Sequence, residues 1–208
     1  MLKPLEGLQF NAETHRYIWR VQSLRHSVTN VLSYDMDKNA KLRIQQTKDQ
    51  WEPRGNACHA FTEALLLNGS AEHSDDYLEW TRHIERCWLF QGCEILAVEY
   101  RLCDPLRLIG GSFDFLLRTH KGSVVLGDLK TVSSYNAADR RKPASAQLGA
   151  YTHFLAAHHP SITVDKCVTV VAGPGICRVI SSEPQECVDQ WNEAWNRYVA
   201  HQELLDVF

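Results

Sequence analysis

The stretch "GGSFDFLLRTHKGSVVLGDLKT", residues 110–131, sets Asp114 and Asp128 inside apolar runs and places Lys130 two residues after the second acid. A buried carboxylate costs several kcal/mol unless something pairs it. Two in one short stretch therefore call for a common partner. Asp128 and Lys130, at i and i+2 of a strand, emerge on one face. If the two runs form a hairpin, Asp114 comes beside Asp128, and both carboxylates can bind one cation. Hard divalent ions such as Mg²⁺ take oxygen ligands of this kind and retain several waters. The competing account is a structural Asp128–Lys130 ion pair with Asp114 at a strand end.

Other residues carry chemistry of the same type. His59 and Glu63 lie four apart on a helical stretch upstream, on neighbouring faces. Glu99 in "AVEYRL" is a further acid on an adjacent strand, either assisting the metal or the lysine or serving the fold. Gln147 and Tyr151 lie four apart on the helical stretch after the strands. Before them runs "DRRKP", with Arg140, Arg141 and Lys142 as the one dense basic run of the chain. It reads as a solvated loop or as a set of phosphate contacts. Tyr151 could stack on a base or bond a phosphate.

These residues need elements to hold them. "LQFNAETHRYIWRV" reads as two short strands around a turn, and "DMDKNAKLRIQQTKDQW" as a polar helix punctuated by Pro53 and Gly55. A helix is expected from Gly55 to Gly69, with Ala57, Phe61, Ala64 and Leu65 as its buried stripe. A second runs through "SDDYLEWTRHIERCWLFQG", with Ser74 as N-cap and Gly92 beyond its end. "EILAVEYRL", "LIGGSFDFLLR" and "GSVVLGDLKTV" form an expected antiparallel meander. A helix over "PASAQLGAYTHFLAAHH", two strands over "SITVDKCVTVVAG" and "ICRVIS", and an amphipathic C-terminal helix follow. The class is α/β or α+β: a central mixed β-sheet flanked by helices, in one domain spanning 1–208. Within it, 1–53 is an N-terminal hairpin and helical lead-in, 54–182 the core, and 183–208 the C-terminal helix.

In order, "RGNACH", "GGSFDF", "GDLK" and "QLGAY" resemble the PD-(D/E)XK nuclease superfamily in its RecB-like exonuclease branch. The lead-in "THRYIW…HSVTNVLS" is similar to that of phage-type and mitochondrial genome maintenance exonucleases. The resemblance spans residues 15 to 151. It implies a restriction-endonuclease-like core, with His59, Asp114 and Asp128 as metal ligands helped by the Leu129 carbonyl. It also implies Lys130 beside the attacking water, and Gln147 and Tyr151 near the scissile phosphate. The function implied is an Mg²⁺- or Mn²⁺-dependent deoxyribonuclease, an exonuclease ahead of an endonuclease. Two alternatives stand beside it: a catalytically inactive DNA-binding or assembly module, and a structure-specific endonuclease. DNA, as single strands or duplex ends, is the expected partner. No G-x-x-x-x-G-K-[ST] loop occurs, so a helicase or recombination partner would be a separate protein.

Bulk properties bound the rest. The net charge of -3 over 208 residues excludes a protein that coats nucleic acid by charge alone. The seven cysteines include no CxxC pair, which argues for reduced thiols and against a zinc or iron–sulfur cluster, although Cys167, Cys177 and Cys187 recur every ten residues. No apolar run reaches the roughly 20 residues of a membrane span. A cytoplasmic home is expected, in the host cytoplasm if the chain is phage-encoded.

Overall fold

A computed structural model describes residues 1–205. The lead-in is a three-stranded antiparallel sheet of β1 (Leu8–Asn11), β2 (Arg16–Trp19) and β3 (Gln22–Ser23). β4 (His26–Ser27) follows, then α1 (Val28–Ser33), α2 (Lys38–Gln46) and α3 (Lys48–Asn68). Ser27 caps α1 by accepting the Asn30 N–H, and the Asn30 side chain returns the bond to the cap. α3 is longer than expected and continues through Pro53. That proline falls on an exposed face in the second turn, where it forfeits one backbone bond to Asp49 without being forced into the core. The boundary expected after residue 53 thus falls inside a helix. The buried face of α3 is Cys58, Phe61, Thr62 and Leu66, so the expected stripe is shifted and only Phe61 of it is fully buried.

The second expected helix is broken in three. A 3₁₀ turn (Asp75–Tyr77) leads into α4 (Leu78–Glu85), and another 3₁₀ turn (Trp88–Phe90) follows a break at Arg86–Cys87. Ser74 makes no side-chain capping bond, contrary to the expectation.

The meander forms as expected: β5 (Glu94–Asp104), β6 (Ile109–Arg118) and β7 (Val124–Thr131), each antiparallel to the next. α5 (Tyr135–Arg140), capped by Ser134, was not anticipated. α6 (Ser145–His158) crosses to β8 (Lys166–Gly173), which runs parallel to β7. β9 (Ile176–Ser182) returns antiparallel, and α7 (Pro184–Leu205) closes the described chain. The result is a mixed α/β fold with a six-stranded sheet. α1, α6 and α7 cover one face over Leu126, Phe154 and Trp191, and α3 and α4 cover the other over Phe115, Leu129 and Val170.

Strand β6 is the organising element. β5 pairs with it from Ile109 to Arg118, which fills one edge. β4 and β7 therefore share the other edge, β4 at Ile109–Gly110 and β7 at Phe115–Arg118. Residues 111–114 lie in the fork between them. The pleat also reverses here. Val98 and Phe115, paired across β5 and β6, pack on the α3 side, whereas the next pair, Tyr100 and Phe113, packs on the α6 side. Pairs two residues apart share a face in a regular ladder. Between these pairs stand Glu99 and Asp114, and Glu99 takes φ +45.

Candidate functional site

The fork places one carboxylate among several partners. Asp114 Oδ2 accepts the backbone N–H of Leu129, so a side chain takes the bond that a continued β6–β7 ladder would have used. Asp114 Oδ1 lies 3.6 Å from His59 Nδ1, and the same nitrogen is 3.4 Å from Glu99 Oε1. His59 arrives on α3, Glu99 on β5 and Asp114 on β6. Among the described residues they form the one group of His, Cys, Asp and Glu whose ligand atoms all lie within 4.8 Å of one another. An open cleft of about 520 Å³ lies over them, lined also by Glu63, Asn56 and Arg101.

Asp128 meets Lys130 first, the partner that the i, i+2 spacing offers. It is 1% exposed, and Lys130 Nζ lies 2.8 Å from its Oδ1 and 2.7 Å from its Oδ2. The Oδ2 contact is off the hydrogen-bond direction, which leaves that buried oxygen with an unused acceptor. Lys130 also donates to Gln147 Oε1 at 3.0 Å, so the ammonium is held between β7 and α6. The group that could hold a cation is His59, Glu99 and Asp114; of the expected ligands His59, Asp114 and Asp128, Asp128 stands outside it, paired with Lys130.

Electrostatics tie the groups together. Burial and the Asp128 charge push the Asp114 carboxyl up to about 7. Burial by itself would lower His59, but the hydrogen bond its ring donates to Glu99 and the charges of Asp114, Glu99 and Asp128 outweigh it and raise the imidazole to about 9. Near neutral pH the cluster therefore holds protons where it has room for a positive ion. The donor set fits a divalent cation on two counts: two carboxylates with an imidazole, and negative charge in excess of its partners. His59, Glu99 and Asp114 would hold it.

Tyr151 is not where a base could stack. Its ring is 3% exposed, packed in the α6-side core with Phe113 and Phe154. It lies against Gly111, where a Cβ would come within 2.6 Å of its Cε1 and 3.2 Å of its hydroxyl oxygen. The Gly111 and Tyr151 positions of the two sequence stretches are therefore one packing contact. Gln147 does face the site, through Lys130. Arg140, Arg141 and Lys142 are exposed at the end of α5 and the turn after it, and none lines the cleft. Leu129 enters by its backbone, and its side chain is buried among the α3-side residues.

Arg101 escaped the sequence reading. It lines the cleft two residues after Glu99, with its guanidinium 4.9 Å over the Phe10 ring of β1. The available signal was the pair Glu99 and Arg101, at i and i+2 of a strand next to the acids.

No helix among the described residues is long and apolar enough to cross a membrane. No family model matches the chain, and no curated protein matches it. A crystal structure of SSO0001 aligns at a TM-score of 0.44 with 15% sequence identity, covering 81% of this chain and 73% of that one, a likeness too slight to carry an argument.

Proposed function

We propose that the protein is a metal-dependent deoxyribonuclease of the PD-(D/E)XK kind that hydrolyses phosphodiester bonds, preferentially from DNA ends. The observation that carries this reading is Asp114. At a fork in the sheet, its carboxylate is shared between the Leu129 N–H and a His59–Glu99 pair, one strand away from a buried Asp128–Lys130 pair.

A divalent ion held by His59, Glu99 and Asp114 would act as a Lewis acid, lowering the pKa of water and offsetting phosphate charge. The chain's own residues supply the rest. Lys130, fixed by Asp128 and Gln147, presents a positioned ammonium that orients the nucleophilic water and stabilises charge developing on the phosphate oxygens. Water oxygen adds to phosphorus as the P–O ester bond breaks, leaving a phosphomonoester and a free hydroxyl. Arg101 lies in the cleft with a stacked, oriented fork suited to a phosphate oxygen. The buried ring of Tyr151 packs behind the fork against Gly111.

Digestion of linear and covalently closed circular DNA, each single- and double-stranded, in Mg²⁺ and in Mn²⁺ tests the reading. An exonuclease degrades only the linear forms. Cleavage of closed circles would replace that part of the reading with an endonuclease. Binding with no cleavage of any form would leave a nuclease-fold binding module.

A further inference from the structure

A second cavity, of about 650 Å³, lies where the N-terminal sheet meets β4 and α1. Its lining includes Arg16, Arg25, His15, Thr14 and Ser23, and no Asp or Glu. The chain as a whole carries 25 acids against 22 lysines and arginines, so a cavity with two arginines and no carboxylate is a local reversal of the balance. Arg16 and Arg25 are exposed, and neither forms an ion pair among the described residues. Other polar groups of the cavity are already engaged: His26 Nδ1 with the Tyr198 hydroxyl at 3.0 Å, and Ser27 with the Asn30 N–H. Two guanidinium groups and the hydroxyls of Thr14 and Ser23 remain as donors in the lining, and the chemistry they suit is an oxyanion.

The cavity adjoins the metal cleft through a continuous wall. Tyr17 lines it, and the Tyr17 ring occupies the space where Gly110 has no Cβ. Phe10 packs on Tyr17 with ring centroids 4.7 Å apart, and its ring carries Arg101, which lines the metal cleft. Gly110 and Asp114 are four residues apart on β6, roughly 13 Å at about 3.3 Å per residue. A few nucleotides of one strand can bridge a span of that order.

We propose that this cavity is a second phosphate subsite, in which Arg16 and Arg25 hold the backbone of the strand whose ester lies at the metal cleft. The proposal rests on the nuclease reading for the identity of its ligand. The three-stranded sheet is then a clamp along the strand, with Arg101, Arg16 and Arg25 following its phosphates away from the metal.

The test is binding of a 12-nucleotide single strand by fluorescence anisotropy, in Ca²⁺, across a salt series. Wild type is compared with Arg16→Gln, Arg25→Gln and the double variant. Each variant is first checked for native circular dichroism, and the single variants serve should the double variant not fold. Losing two phosphate contacts on a single strand lowers the magnitude of the log–log salt slope by about 1.4, and each single variant lowers it by about 0.7. The dissociation constant at low salt rises about tenfold in the double variant. Oligonucleotides carrying a 5′-phosphate, a 3′-phosphate or neither distinguish the occupant. An equal effect on all three identifies internal diesters, and an effect confined to one phosphorylated end identifies a terminal monoester. Unchanged affinity and slope in folded variants of a chain that still cleaves DNA overturn the subsite alone. Charge-dependent binding as above by a wild type that cleaves nothing overturns the nuclease reading and keeps the subsite. A wild type that does not bind the strand overturns the subsite, and one that in addition cleaves no DNA overturns both.

Discussion

Glu99 and Asp114 stand between the Val98–Phe115 and Tyr100–Phe113 pairs of the β5–β6 ladder, where the pleat reverses and Glu99 takes φ +45. A non-glycine residue held in that region costs of order 1–3 kcal/mol, and such strain clusters where the surrounding structure has another use for the side chain. Here it accompanies a carboxylate brought within reach of His59. Glu99→Gln is expected to weaken Mn²⁺ binding by at least ~10-fold and to lower the His59 pKa, because the Glu99 hydrogen bond is the largest influence raising it. Calorimetric metal titration together with NMR titration of His59 checks both. If Glu99 merely serves the fold, melting temperature changes while metal affinity and His59 titration do not.

His59→Ala should weaken Mn²⁺ more than Mg²⁺, since imidazole suits the former better. Steady-state cleavage across titrations of each ion measures this. Equal affinity and rate to wild type would make His59 a packed histidine with no part in the metal group.

Metal-free stability should fall as pH rises. Asp114 titrates near 7 in the folded chain against an ordinary 3.8, and His59 near 9 against 6.5. Both folded-state values are raised, so the folded chain binds more protons than the unfolded one and loses stability through about pH 4–7 from Asp114 and 6.5–9 from His59. Melting curves in EDTA between pH 5 and 9 should show a continuous decline. Asp114→Asn should remove its lower part, and saturating Mn²⁺ should offset it. A flat profile in EDTA would mean that the cluster is not overloaded with negative charge.

Tyr151→Ala should destabilise the fold by about 3–5 kcal/mol, as expected for emptying a buried aromatic site, and Tyr151→Phe by far less. Denaturant melts of the two variants measure this. A Tyr151→Ala variant with wild-type stability and weakened DNA binding would instead restore the base-contact role expected from sequence.

Much of this arrangement was legible in the chain. The alternating runs gave the meander, and the i, i+2 spacing put Asp128 with Lys130 because strand periodicity is a local property. Glu99 could be seen only as a strand acid, since its role depends on one backbone dihedral that no spacing encodes. Tyr151 misled because the i, i+4 rule puts it on the face of Gln147 without saying whether that face is wet. Its partner Gly111 was visible, but their contact is a tertiary fact. "DRRKP" reads as a loop, yet Asp139 and Arg140 close α5, whose N-cap Ser134 accepts the Ala137 N–H.

The central claim is that Asp114 holds the divalent ion through which this chain hydrolyses DNA. Its most direct measurement is cleavage of end-labelled linear DNA by wild type and Asp114→Asn over a Mn²⁺ titration, with an EDTA control. The account predicts no cleavage in EDTA, saturable cleavage by wild type, and a loss of about 10³-fold or more in the variant while its melting temperature in EDTA is equal or higher. Cleavage that persists in EDTA, or that a folded Asp114→Asn variant performs at the wild-type rate, would contradict it.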